Sequence, residues 1–169
     1  VESIKLDNAI LKLQEATFGP FDARLDLSGD GKLRSASIVT QDDKLKATIK
    51  PDGSKFLIDA NARGWKVPVG PAIHFDELVV KGVATLNDAN LGEVRAKLYG
   101  GTVAGKMTVN WAKGIVLKGN AGDSQVEIKS LLQALGRPAT MSGRLTAKPV
   151  FSASAAKAEH LANALRLET

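Results

Sequence analysis

Gly100, Gly105 and Lys106, within LYGGTVAGKM (Leu98 to Met107), fit G-x-x-x-x-G-K, the opening of a loop that wraps backbone N–H groups around nucleotide phosphates. That chemistry needs a Ser or Thr next, to hold magnesium, and a helix whose N-terminal dipole faces the anion. Position 107 is Met, and Met107, Val109 and Trp111 alternate with Lys106, Thr108 and Asn110. Period two is the spacing of a strand. The glycines are therefore expected to turn a hairpin, with Gly100-Gly101 supplying positive φ, and not to hold a nucleotide.

His74 and Asp76 stand two apart in an alternating segment, on one face of a strand. A Ser-His-Asp arrangement would need a serine on a G-x-S-x-G elbow, and no such elbow is present. An exposed strand histidine beside a carboxylate is expected instead, and a hydrolase using His74 and Asp76 is the distant alternative. His160 has no second histidine at i+4, so no metal-ligand set forms around it. Asp26 and Asp30 resemble part of a calcium loop, but the closing glutamate is missing and Val39 falls where a ligand is wanted. Asp42-Asp43 and Asp76-Glu77 read as turn and surface charge. The chain is not read as an enzyme, and no cofactor or metal is expected.

Composition narrows the class further. The 169 residues are 44% hydrophobic and 24% charged, as in an ordinary globular chain, so one domain with a real core is the default. Aromatic residues make up only 5%, so any core or pocket must be aliphatic. There is no cysteine, which excludes disulfides and thiolate metal sites and leaves the redox compartment open. Of the net charge of +5, little falls in residues 1–72, with 11 basic and 10 acidic groups, and more in residues 73–169, with 12 and 8. Lys81, Lys97, Lys106, Lys113, Lys118 and Lys129 are dispersed without interleaved aromatics, so nucleic acid is not an expected partner. They read as a solvated face with a weak pull toward anionic head groups. No window reaches the roughly 18 apolar residues of a membrane helix, and no signal peptide opens the chain. A start in mid-strand without Met suggests a piece of a longer protein.

The elements that must position these residues are mostly strands. Ile4 and Leu6, then Leu11 and Leu13, then Phe21, Ala23, Leu25 and Leu27 alternate with polar residues. SGDGK (Ser28 to Lys32) and Pro51-Asp52-Gly53-Ser54 supply turns, and short strands continue through Ala62. Gly64, Pro68, Gly70 and Pro71 break the period and mark a candidate junction, dividing a strand-rich first half, 1–72, from a second half, 73–169. Ile128, Leu131, Leu132 and Leu135 fall on one helical face, stopped by Gly136 and Pro138. Ser124 and Glu127 have capping-box spacing, unless Val126 and Ile128 finish a strand. Ala158, Leu161, Ala162 and Leu165 predict a second helix. The fold class is mainly β, an α+β design of about nine to eleven antiparallel strands with two late helices.

Such a sheet raises a question of coverage. Two helices of about 10 to 12 residues reach roughly 15–18 Å each, too little to roof ten strands. Either the sheet closes on itself as a sandwich or barrel, the commoner solution on physics alone, or part of its apolar face lines an open groove.

The second half bears on this choice. LYGGTVAGKMTVNW, then VEIKSLLQAL, then MSGRLTAKPVFSASA resembles the AsmA-like family, large proteins of Gram-negative bacteria related to TamB and the bridge-like lipid-transfer proteins. Leu98, Tyr99, Gly100, Gly101, Gly105, the Leu131-Leu132-x-x-Leu135 helix and Gly143 carry the likeness, over about Phe75 to Leu167. The resemblance implies an antiparallel sheet curved into a U-shaped groove, and a periplasmic location with an inner-membrane anchor absent from this stretch. It also implies a part in outer-membrane biogenesis, moving phospholipid between membranes. Phospholipid or another acyl-chain ligand is then the expected partner, and Leu98, Val103, Met107, Val109, Trp111, Ile115 and Leu117 are candidates for the groove wall. Ordinary core beneath the leucine helix is the competing account of those residues. A closed structural or protein-interaction module without lipid is the alternative for the whole chain, and free sheet edges make oligomers through strand pairing possible.

Overall fold

The computed structural model describes residues 2–13, 16–68, 73–122, 124–157 and 160–168. Alternation becomes strand almost everywhere. β1 (Ser3–Leu13), β2 (Ala16–Leu27), β3 (Leu33–Thr40), β4 (Leu45–Asp52), β5 (Lys55–Lys66), β6 (His74–Ala84), β7 (Asp88–Leu98), β8 (Gly101–Asn110) and β9 (Ile115–Ala121) form an antiparallel meander, each paired with the next. β10 (Ser124–Glu127) leads into the helix α1 (Ile128–Ala134), after which β11 (Arg144–Ala147) and β12 (Val150–Ala155) return. A four-residue turn, α2 (Leu161–Ala164), precedes β13 (Arg166–Glu168).

Pairing explains the late strands. β9 lines β8 from Gly105 to Asn110, and β10 takes over at Thr102, opposite Gln125. On the far side β11 pairs β10 and β12 pairs β9. Two nearly continuous ribbons thus break together, where Ala121 N–H donates to Pro149 O at 2.9 Å and Gly122 N–H to Ala104 O at 2.7 Å. The single 13-stranded sheet ends at β1 on one side and at β11 and β13 on the other; it is open, so the sandwich or barrel expectation does not hold.

Several expectations are corrected by these pairings. The sheet has more strands than expected because β10, β11 and β13 are short. Only one of the two helices forms as a helix. Arg166, Leu167 and Glu168 pair instead with Ser152, Phe151 and Val150, which satisfies the outer edge of β12; Ala158 lies outside the described residues. The capping box is also absent, since Ser124 Oγ donates to Ala147 O at 3.0 Å and Glu127 precedes the helix without a side-chain cap. The helix does stop at Gly136: its N–H reaches Gln133 O at 3.0 Å and Arg137 N–H reaches Leu132 O at 2.8 Å, the pair of bonds that closes a glycine-terminated helix. At the candidate junction the ladder continues to Lys66 opposite His74, and Trp65 stacks on Phe75 with ring centroids 6.4 Å apart; residues 69–72 lie outside the described residues.

Register sorts the side chains onto two faces, because residues directly opposite share a face. One row runs Ile49, Ile58 and Gly82 across β4, β5 and β6, and another runs Ala62, Leu78, Ala96 and Val103 across β5 to β8. Further rows run Leu91–Met107–Gly119–Phe151 and Ala89–Val109–Leu117–Ala153. In the first half Leu6, Ala23, Ile38, Ala47 and Ala60 continue the same face. The opposite face carries Asp59 against Lys81 and Glu77 against Lys97.

Among the described residues the sheet is the one extended layer. The principal contacts among elements run between neighbours in the sheet, apart from α1 against β10 and α2 against β12. Buried hydrophobic residues are mostly alanines, and no described side chain is fully buried. Ala84, Ala89 and Leu91 form a buried cluster mid-sheet, packed with Ile58, Val80, Val94 and Met107.

Candidate functional site

The hairpin that opened the question is built by Tyr99 and Gly100, at φ 48° and 69°, between Leu98 and its partner Gly101. A two-residue loop with both central residues at positive φ matches the twist of antiparallel strands. Positive φ therefore falls on Tyr99 and Gly100, one place before the Gly100-Gly101 expected from sequence. The tyrosine is held at both ends: its carbonyl accepts from Glu127 N–H at 3.1 Å and its phenol oxygen accepts from His74 N–H at 3.1 Å. β8, not a helix, follows, and Gly105 lies within that strand. Lys106 points to the polar face, away from Gly105 and Met107.

The other chemical candidates are equally plain. His74 Nδ1 lies 3.8 Å from Asp76 Oδ1, and both side chains are more than half exposed. Among the described residues, no group of three His, Asp or Glu side chains could hold a metal ion. Asp26 receives the Arg24 Nε–H at 2.9 Å, and Asp30 meets Lys32 Nζ at 2.9 Å. Hydrogen bonding from Arg24 holds the Asp26 carboxyl below its ordinary value, and the Ser28 hydroxyl does the same for Asp30. These carboxylates are committed to their own hairpins.

What the structure does bring together is apolar. Leu98, Val103, Met107, Val109, Leu117 and Ile115 share one face across β7, β8 and β9. Leu98 is buried and the others are half-buried. Trp111 lies one residue beyond the end of β8: its indole N–H donates to Leu86 O at 2.7 Å and its backbone N–H to Asn87 O at 2.9 Å, tying down the β6–β7 turn. The helix bearing Leu131, Leu132 and Leu135 makes its principal contact with β10. The same face extends well beyond the residues singled out from sequence, to Ile58, Leu78, Val80, Leu91, Val94 and Phe151. Their alternation was visible; that they form one surface follows only from register.

Glycines on this face mark close approaches. A Cβ on Gly105 would lie 2.0 Å from Asn120 O, and one on Gly82 would lie 2.3 Å from Asn90 O. In a flat ladder the Cβ stands clear of the neighbouring backbone. Here the next strand crosses on the apolar side at these points. At Gly119 the place of a side chain is taken by the Phe151 ring, whose Cζ would be 2.3 Å from an added Cβ.

Compared with protein families, with characterised proteins and with solved structures, the chain matches none. No helix among the described residues is long and apolar enough to cross a membrane.

Proposed function

We propose that this chain is a lipid-handling segment of the AsmA-like kind, whose apolar sheet face receives the acyl chains of phospholipid. The observation that carries this reading is an apolar face continuous across the meander, in one open sheet beside which the described residues place only the short α1 and α2. Soluble chains rarely leave so large a contiguous apolar surface without an occupant. The close approaches at Gly82 and Gly105 support a sheet that curls toward that face, which makes it a groove.

Transfer energetics then supply the mechanism. Each acyl CH₂ moved out of water contributes about 0.8 kcal/mol, so an aliphatic wall holds tails without directed hydrogen bonds while head groups stay in water. Such a surface lets a chain slide along it, which suits movement between membranes. A periplasmic setting, an inner-membrane anchor elsewhere in the protein and a role in outer-membrane biogenesis belong to the same reading, through the LYGG hairpin and leucine-helix resemblance.

The test is lipid capture. Native mass spectrometry of the purified chain is expected to show co-purified phospholipid, and a fluorescent fatty acid is expected to bind and be displaced by it. Val109→Asp places a charge mid-face, beside Leu117 and Ala89, and is expected to weaken the probe at least tenfold with the circular dichroism of the sheet retained. Lipid-free protein that ignores the probe overturns the proposal.

A further inference from the structure

The polar face carries a second feature, near the end of the chain. A straight row crosses β9, β12 and β13 there: Lys118 stands opposite Ser152, and Ser152 opposite Arg166. Two ladder spacings of about 4.8 Å separate the two cations at the backbone, and both side chains are long enough to lean over the small serine between them. α2 and the residue that follows it form the other side of a recess of about 360 Å³, lined by Lys118, Ser152, Ser154, Asn163 and Arg166 among others. None of its described lining residues is acidic.

That grouping is unlike the middle of the same face. There Lys81 meets Asp59 across the ladder at 3.8 Å and Lys97 meets Glu77 at 3.0 Å. Lys118 and Arg166 make no ion pair among the described residues. Glu168, two residues beyond Arg166 on the same strand, lines an adjoining recess with Lys106 and Lys118, and it too makes no ion pair with either cation. Two like charges are thus held over one concavity, with two hydroxyls and a carboxamide as further hydrogen-bond donors. An anion between them relieves the repulsion.

We propose that this recess is an anion site for a phosphate-class group. The Arg166 guanidinium presents a planar fork that matches two phosphate oxygens, Lys118 supplies a point charge, and Ser152, Ser154 and Asn163 donate to the remaining oxygens. The phosphate belongs either to a lipid head group or to a free phosphorylated solute. The site lies on the face opposite Val109, so it stands or falls separately from the acyl groove.

The probes are inorganic phosphate, followed by amide chemical shifts, and phosphatidylcholine vesicles with and without phosphatidylglycerol, followed by flotation. Saturable shifts in β9, β12 and β13, weakened at least tenfold in Lys118→Gln and Arg166→Gln but not in Lys50→Gln on distant β4, support the site and a free phosphate source. Binding to phosphatidylglycerol vesicles alone, with the same pattern among the variants, supports the site and assigns the head group. Glu168→Gln is expected to tighten whichever binding is seen. Equal losses in all three lysine and arginine variants indicate diffuse charge and overturn the proposal, as does silence toward both probes. Phosphate or vesicle binding unaffected by Val109→Asp separates this result from that of the groove.

Discussion

At the scale of single residues, Gly105 illustrates why a motif match misleads. It fits a phosphate-loop spacing, yet its role is to let the backbone at Asn120 pass where a side chain would stand. Gly105→Ala is expected to destabilise the chain by about 1–3 kcal/mol, the range for forcing an extra methyl group into a packed place. Gly92 has nothing within 4 Å of an added Cβ and no left-handed φ. Gly92→Ala is accordingly expected to be neutral or to stabilise by about 0.4–1 kcal/mol, through the unfolded chain. Paired urea titrations of the two variants measure this, and equal effects would remove close approach as the reason for Gly105.

Pairing between elements carries a pH dependence. Hydrogen bonding from Lys97, with its charge, holds the Glu77 carboxyl below its ordinary value of 4.5. A carboxylate that is more acidic folded than unfolded stabilises the fold above the unfolded value, and that contribution is lost as pH falls through the folded one. Stability between β6 and β7 is therefore expected to be pH-independent near neutrality and to decline below about 4.5. Asp26, Asp30, Asp42 and Glu93 are shifted in the same direction and add to the decline. In Lys97→Gln the carbon-13 titration of the Glu77 carboxyl is expected to move upward and the acid-side decline to become shallower. An unchanged titration would show that the cross-strand contact at 3.0 Å does not persist in solution.

For the molecule as a whole, an open sheet distributes stability unevenly. Mid-sheet strands have two partners, and Leu91 and Leu98 are only 9% and 7% exposed. β1 has one partner, and its Ile4 and Leu6 are 40% and 43% exposed. Amide exchange is expected to be slowest in β6 to β8 and fastest in β1, because local opening follows the density of buried apolar contacts. Binding of an acyl chain along the apolar face is expected to slow exchange across several neighbouring strands together. Uniform protection from β1 to β12 would point to a covering layer and weaken the lipid reading.

The sequence by itself determined the strands, because period-two alternation and turn residues are local signals: Met107, Val109, Leu117 and Ile58 could be placed on apolar faces without coordinates. It also ruled out a phosphate loop at Gly100 to Lys106, since the missing hydroxyl and the missing helix are both written locally. Only the tertiary structure decided that those faces join into one surface, because register depends on partners far along the chain. The end of the chain went the same way. Leu161 and Leu165 have helical spacing, but the unpaired edge of β12 recruits Arg166 to Glu168 as a strand, and the backbone hydrogen bonds gained there outweigh a weak helical preference. What covers an apolar face is likewise not written in its alternation, since the same pattern serves a sealed core and an open wall.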